Sequence, residues 1–175
     1  MAEDVKHRTI RYLQDAHAAE TGIDDVLKGF INDTDDPEIK ALFTEHAALT
    51  RNQADRLEAR IRALGGDTSG TKGFFNSLMA KASELIQGAH DEYDKNTQNL
   101  IKAYSTEHLE RGMYESLIAW ATAIGDIETA NLGRQIQSEE IATAERIFPH
   151  IARYAQTALA NTVGTNASQG GTYLS

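Results

Sequence analysis

Carboxylate and amide side chains occupy positions at which a helical core ordinarily carries leucine or alanine. Glu20 fills the gap in the apolar series Ile10, Leu13, Ala16, Ile23, Leu27 and Phe30. Gln53 interrupts Ile39, Leu42/Phe43, His46, Leu49/Thr50, Leu57, Ile61 and Leu64, a series whose middle is polar. Glu107 and Glu110 fall within Leu100, Ala103/Tyr104, Arg111, Tyr114, Leu117/Ile118, Ala121 and Ile124. Glu140 falls within Leu132, Ile136, Thr143, Ile147, Ile151 and Tyr154. Steps of three and four trace one face of a helix, so these polar groups share the face of their apolar neighbours. Inward carboxylates in a dry interior repel one another unless a cation, shared protons or a basic residue intervenes. Metal binding is one chemistry such a layer supports. Taken singly, each glutamate could equally sit at the edge of the core and reach solvent.

The spacing tests whether the groups can meet. The first helical stretch ends at Asn32, and an antiparallel partner begins near Asp36. Counting back from Asn32 to Glu20, and the same distance forward from Asp36, arrives close to Leu49, Thr50 and Gln53. In the other hairpin, Glu110 precedes Ile124 by the same interval that separates Asp126 from Glu140. Because every residue adds the same rise along a helix, each hairpin brings its polar turns to one layer. Di-metal bundles of the ferritin-like kind solve the repulsion with two ions, held by a Glu from each of two helices and Glu-x-x-His from each of the others. The chain meets that rule in part. Glu20, Glu107 or Glu110, and Glu140 are available, but Thr143 stands three residues after Glu140, and the second helix offers Thr50 and Gln53, or Leu49 and Asn52, with no Glu-x-x-His. His17, His46 and His108 are alternative nitrogen ligands. Arg111 could instead neutralise Glu107 or Glu140 as a buried ion pair.

The elements that must position these residues are helices. Only two prolines, Pro37 and Pro149, interrupt 175 residues rich in strong helix formers. The first helix is expected from about Asp4 to Ile31 and the second from Pro37 to about Leu64, with Asp36 as N-cap and Gly65 and Gly66 as the stop. A Gly-rich loop over residues 65–73 leads to a short amphipathic helix carrying Phe74, Phe75, Leu78, Met79, Ala82, Leu85 and Ile86. The third long helix begins between Asp91 and Thr97 and ends near Ile124, with Gly125 beyond its end and Asp126 capping the fourth, which starts at Ile127. Pro149 is expected to kink that helix. Two tight hairpins joined by a long connection make an all-α, ferritin-like four-helix bundle over residues 1–160, with 161–175 as a flexible polar tail.

Composition narrows the function classes. The formal net charge of −9 makes nucleic acid a poor partner, and anionic lipid equally so. No apolar run approaches the roughly 18 residues of a membrane span, and the start MAEDVKHRTI lacks the apolar segment of a signal peptide. The absence of cysteine removes thiolate chemistry and fits a cytoplasmic setting. There is no G-x-x-x-x-G-K-[ST], G-x-S-x-G or H-E-x-x-H. The run Asp33-Thr34-Asp35-Asp36 lacks EF-hand spacing and reads as a turn and cap. Tyr104 and Tyr114 flank the polar layer and can hydrogen-bond its carboxylates, while Trp120 and Met113 read as core or dimer interface and Arg56, Arg60 and Arg62 as a mixed-charge face.

Four short segments carry a family resemblance. Leu13-Gln14-Asp15-Ala16-His17-Ala18-Ala19-Glu20 resembles the opening motif of the YciE/YciF family of bacterial ferritin-like stress proteins. Pro37-Glu38-Ile39-Lys40-Ala41 and His46-x-x-x-Thr50-x-Asn52-Gln53 resemble its second helix, Glu107-His108-Leu109-Glu110 with Tyr114 its third, and Gly125, Leu132 and Glu139-Glu140-x-Ala142-Thr143 its fourth. The resemblance covers residues 5 to about 158. It implies a homodimeric stress-response bundle with a di-metal centre between the helices. Ligand positions carry over onto Glu20, Glu107 or Glu110, and Glu140, while the helix-two carboxylate falls at Leu49, leaving Gln53 as that helix's polar candidate.

Two functional readings follow. The first is a structural or protective dimer whose di-metal site is degenerate or absent. The second is an Fe- or Mn-dependent redox enzyme acting on peroxide or oxygen, with Glu20, Glu107, Glu110, Glu139 and Glu140 as oxygen ligands and His17, His46 or His108 as nitrogen ligands.

Overall fold

The structure is a computed structural model and describes residues 4–68 and 92–168. Four helices follow one another: α1 (Val5–Asp33), α2 (Pro37–Ala63), α3 (Glu92–Ala123) and α4 (Ile127–Ser168). The helix expected over residues 74–86 lies outside the described residues. α1 packs along α2 and α3 along α4 as two hairpins, and the hairpins meet through α1 against α3 and α2 against α4. No helix among the described residues is long and apolar enough to cross a membrane.

The helix boundaries follow from local chemistry. Asp36 is the N-cap of α2, accepting from the amides of Glu38 (2.9 Å) and Ile39 (3.3 Å), with Pro37 at the first position. At the other end Gly65 takes φ +77°, and the amides of Gly65 and Gly66 donate to the carbonyls of Arg62 (2.8 Å) and Ile61 (2.9 Å). α3 ends the same way: Gly125 has φ +75°, its amide donates to Thr122, and the Asp126 amide donates to Ala121. Both are Schellman terminations, in which a glycine in the left-handed region lets two orphan carbonyls be satisfied. Asp126 then caps α4 through the Thr129 amide at 3.0 Å.

α4 runs through Pro149 and on to Ser168, past the boundary at Asn161 that the polar composition suggests. Side chains explain part of this. Thr157 and Thr162 each donate their hydroxyl to the carbonyl four residues earlier, at 3.0 and 2.9 Å, so these polar groups are satisfied within the helix. Ile124, expected in the core, is 38% exposed because it sits in the turn rather than on the helix face.

The apolar core is in two parts. One cluster contains Ile23, Leu27, Phe30, Ile39, Phe43, Leu100, Ile147 and Tyr154. The other contains Leu13, Leu57, Ile61, Tyr114, Leu117 and Ile136. The residues that separate them along each helix are Glu20, Thr50 and Gln53, Glu107 and Glu110, and Glu140 and Thr143, all buried.

Candidate metal centre

Every helix contributes to the polar layer. α1 supplies Glu20, α2 supplies His46, Thr50 and Gln53, α3 supplies Glu107, Glu110 and Tyr114, and α4 supplies Glu140 and Thr143. Glu107 and Glu110 are three residues apart on α3 and both face inward, at 0% and 1% exposure. The sequence leaves open which of them does so. The answer is both, because an i, i+3 pair lies on one side of a helix. Carboxylate oxygens of Glu107, Glu110 and Glu140 all lie within 4.8 Å of one another.

No lysine or arginine among the described residues makes an ion pair with Glu20, Glu107, Glu110 or Glu140. Arg111, a candidate partner for Glu107 or Glu140, instead turns to the α3–α4 surface, where it lines a cleft with Tyr104, His108 and Glu145. The helical phase decides this: next to the inward Glu110, Arg111 is rotated off the core face by about 100°. The cations that do approach are indirect. Arg56 pairs with Glu139, Nη1 to Oε1 at 3.0 Å and Nη2 to Oε2, and Gln53 Nε2 donates to both Glu139 (3.2 Å) and Glu140 (2.5 Å). Arg146 pairs with Glu45 at 3.3 Å.

Burial therefore governs protonation. It holds Glu107 up at about 7, against the lowering influence of its contact with Glu140 and of Arg146. It pushes Glu140 up to about 10, helped by its close contact with Glu107 and by the charges of Glu107 and Glu139. Two carboxyls this close resist ionising together, so the pair keeps a proton. Glu20 and Glu110 are raised well above the carboxylate range by burial, then by the neighbouring glutamates. Burial, with a smaller push from Arg146, lowers His46 to about 4, so its imidazole is neutral. Its Nε2 lies 2.8 Å from Glu107 Oε1 without the alignment of a hydrogen bond. Tyr114 Oη donates to Glu20 Oε1, and burial then Glu20 and Glu110 hold its phenol far above its usual range.

Orphaned atoms converge here. Glu20 Oε2, both ring nitrogens of His46, Gln53 Oε1, both oxygens of Glu107, Glu110 Oε1 and Thr143 Oγ1 are buried without a hydrogen-bond partner. A buried polar atom of this sort costs about 1–3 kcal/mol, and native interiors hold few. Their concentration at one level is the chemistry of an oxygen-rich cation site with one neutral nitrogen ligand available.

Not all expected candidates reach this point. His108 is exposed, its ring 4.5 Å from that of Tyr104, which in turn lies against Phe148 rather than on a carboxylate. His17 is half-buried in a surface cleft on the α1–α2 side. Leu49 is half-buried, while Thr50 faces inward. Of the flanking tyrosines, Tyr114 bonds the layer and Tyr104 does not. Trp120 is half-buried and donates Nε1 to Thr9 Oγ1 at 2.9 Å, tying α3 to α1. The pairing of Arg56 with Glu139 is absent from the sequence reading, where Glu139 is an oxygen ligand and Arg56 belongs to a mixed-charge face. The available signal is position, since Arg56 follows Gln53 by three residues and Glu139 adjoins Glu140.

The family described as Domain of unknown function (DUF892) matches residues 6–160. The chain belongs to this family. Its fold recurs in solved structures. A protein of Xanthomonas campestris is 23% identical, with 91% of this chain and 99% of that one covered at a TM-score of 0.73. The E. coli stress protein YciF is 19% identical, with 89% and 99% covered at a TM-score of 0.76. Bacterioferritin of Rhodobacter capsulatus is 17% identical, with 89% of each chain covered at a TM-score of 0.67. The DUF892 chain is thus a ferritin-like four-helix bundle of the YciE/YciF type, as the resemblance of its motifs implies.

Proposed function

We propose that this DUF892 protein is a stress-response bundle that binds a divalent cation, Fe or Mn, at its centre. Glu107, Glu110 and Glu140 would hold the ion, with Glu20 and His46 beside them. The observation that carries this is the set of buried, partnerless atoms on those residues. The site is asymmetric relative to the paired Glu-x-x-His rule: α2 brings His46 and Gln53 and no carboxylate, so one ion is a better match than two. The stress role rests on the likeness to YciF, the homodimeric state on the family resemblance, and a cytoplasmic setting on the cysteine-free sequence.

The side chains have distinct parts. The proton kept by the Glu107–Glu140 pair would leave when a cation binds, so binding strengthens as pH rises. Gln53 fixes the orientation of Glu140, and Arg56 holds Glu139 away from the centre. Tyr114 fixes Glu20 through one oxygen and leaves the other available. The apolar clusters on either side exclude water. Bound Fe or Mn would supply one-electron chemistry toward peroxide or oxygen, and the buried phenol of Tyr114 beside Glu20 is the feature that favours such a redox enzyme as a second reading.

The test is metal content per chain after expression with and without added Fe and Mn. We expect a near-stoichiometric ion in the wild type, lost in Glu110→Gln and Glu140→Gln. A folded wild-type protein without metal under both conditions would overturn the proposal. Peroxide consumption that appears only in the loaded protein and vanishes in Tyr114→Phe with metal retained would favour the redox reading. Light scattering checks the dimer.

A further inference from the structure

We propose that the cleft between α1 and α2 is the route by which a divalent cation reaches the buried carboxylates, with Asp55 at its mouth attracting the ion and Arg51 restraining it. This rests on the metal-binding reading above. Among the described residues, two clefts open near the polar layer. The α1–α2 cleft, of about 400 Å³, is lined by His17, Glu20, Asp24, Arg51, Asp55 and Glu58 among others. The α3–α4 cleft, of about 320 Å³, is lined by Tyr104, His108, Arg111, Glu145 and Phe148 among others. No glutamate of the layer lines the second cleft, and Arg111 places a positive charge in it. The first has Glu20 in its wall.

Glu20 joins cleft and layer. It is 1% exposed, Tyr114 holds its Oε1, and its Oε2 is buried with no partner. It also lies close enough to Glu107, Glu110 and Glu140 for their charges to act on one another. An ion that reached Glu20 would therefore be at the edge of the oxygen cluster. Toward solvent the cleft is lined by Asp24, Asp55 and Glu58 together with Arg51. Asp24 is held by Arg51 at 2.7 Å and by Lys28 at 2.7 Å, and Glu58 by Arg62 at 2.6 Å. Asp55 is exposed and makes no ion pair among the described residues. Arg51 keeps half of its side chain in solvent while reaching across from α2 to Asp24 on α1. Among the described residues Asp55 is thus the carboxylate at the mouth with no compensating cation, and a negative charge at the entrance of a cleft raises the local concentration of cations.

The experiment is stopped-flow uptake of Co²⁺ by the metal-stripped full chain, read from the visible absorption of the liganded ion. The Asp55→Lys/Glu58→Lys double variant should slow uptake about tenfold or more at low salt, with final stoichiometry unchanged. Arg51→Ala should accelerate it several-fold, and Glu145→Lys in the other cleft should leave it unaltered. Should the double variant be unstable to urea, Ala54→Phe narrows the same cleft without a charge change and should also slow uptake. Wild-type uptake with unaltered rates in the α1–α2 variants overturns the route alone. Slowing by Glu145→Lys equal to that of the double variant also overturns it. A wild type that takes up no Co²⁺, by absorption or equilibrium dialysis, overturns the metal reading and the route together.

Discussion

The buried carboxyls should make the metal-free protein weaker as pH rises, and Glu107→Gln removes one share of that effect together with the part of Glu140's share that Glu107 induces. Glu107 is held up to about 7 from an ordinary 4.5. Between these values the unfolded chain has lost the proton that the folded chain keeps, so the folded state binds more protons and stability falls with rising pH. A rise of this size corresponds to about 3 kcal/mol, of which roughly 1 is already lost at pH 5, leaving about 2 between pH 5 and pH 8. His46 works in the opposite direction. Lowered to about 4, it adds stability as pH rises from 4 to 6.5, but it does so equally in wild type and variant and drops out of their difference. A glutamine mimics the protonated acid and cannot titrate. The assay is urea unfolding in the presence of EDTA at pH 5, 6, 7 and 8. Across that range the wild type should lose at least about 2 kcal/mol more than Glu107→Gln, since the variant also relieves Glu140 of the charge that raises it. Equal slopes for the two proteins would refute the assignment of a buried, proton-holding Glu107. A saturating cation should flatten the wild-type slope, since stabilisation by a ligand at about 100 times its dissociation constant is about 2.7 kcal/mol.

Other expectations follow from single contacts. Gln53→Glu removes the amide that donates to Glu139 and Glu140 and adds a further buried acid, so the metal-free protein should lose roughly 2–4 kcal/mol in urea unfolding, with Mn²⁺ restoring most of it. Tyr154→Phe removes the hydrogen bond from α4 to Asp36 and should cost about 1 kcal/mol, read as a lower urea midpoint at unchanged slope. Gly66→Ala would bring a Cβ to 2.7 Å from Ile10 Cγ2 and 3.1 Å from Ile61 Cγ2, and calorimetry should show destabilisation of about 1–3 kcal/mol from overpacking.

The helices and their turns were legible because their signals are local. Asp36-Pro37, Gly65-Gly66 and Gly125-Asp126 each combine a capping or left-handed residue with the end of a periodic stripe, and all three fall at real boundaries. The layer was legible because level counting needs only helix ends: Glu110 and Glu140 do meet, as equal distances from the α3–α4 turn require. The side of α3 on which Glu107 and Glu110 lie was not, since a stripe that admits Arg111 is wide enough for either. Arg111 was misjudged because one residue's step turns a side chain about 100° around the axis. The chain Arg56–Glu139–Gln53–Glu140 crosses between α2 and α4, the weaker inter-hairpin contact, and no spacing within one helix reports it. The α4 continuation past Asn161 was hidden by composition, as threonines that satisfy their hydroxyls within the helix look like tail residues in a sequence.

The division of the apolar core into two clusters has a consequence for how the molecule comes apart. Each cluster is anchored by the same bundle of helices, but between them lies a belt of polar groups that gains little from being dry. Without a cation, the belt is the natural plane of parting, and the two ends of the bundle can open as separate cooperative units, with amide exchange faster toward the end that opens first. An ion gripped from α1, α2, α3 and α4 would clamp the helices at their midpoints and merge the two units into one. Loading would then be visible as a change in the grain of unfolding across the whole bundle, far from the atoms that touch the ion.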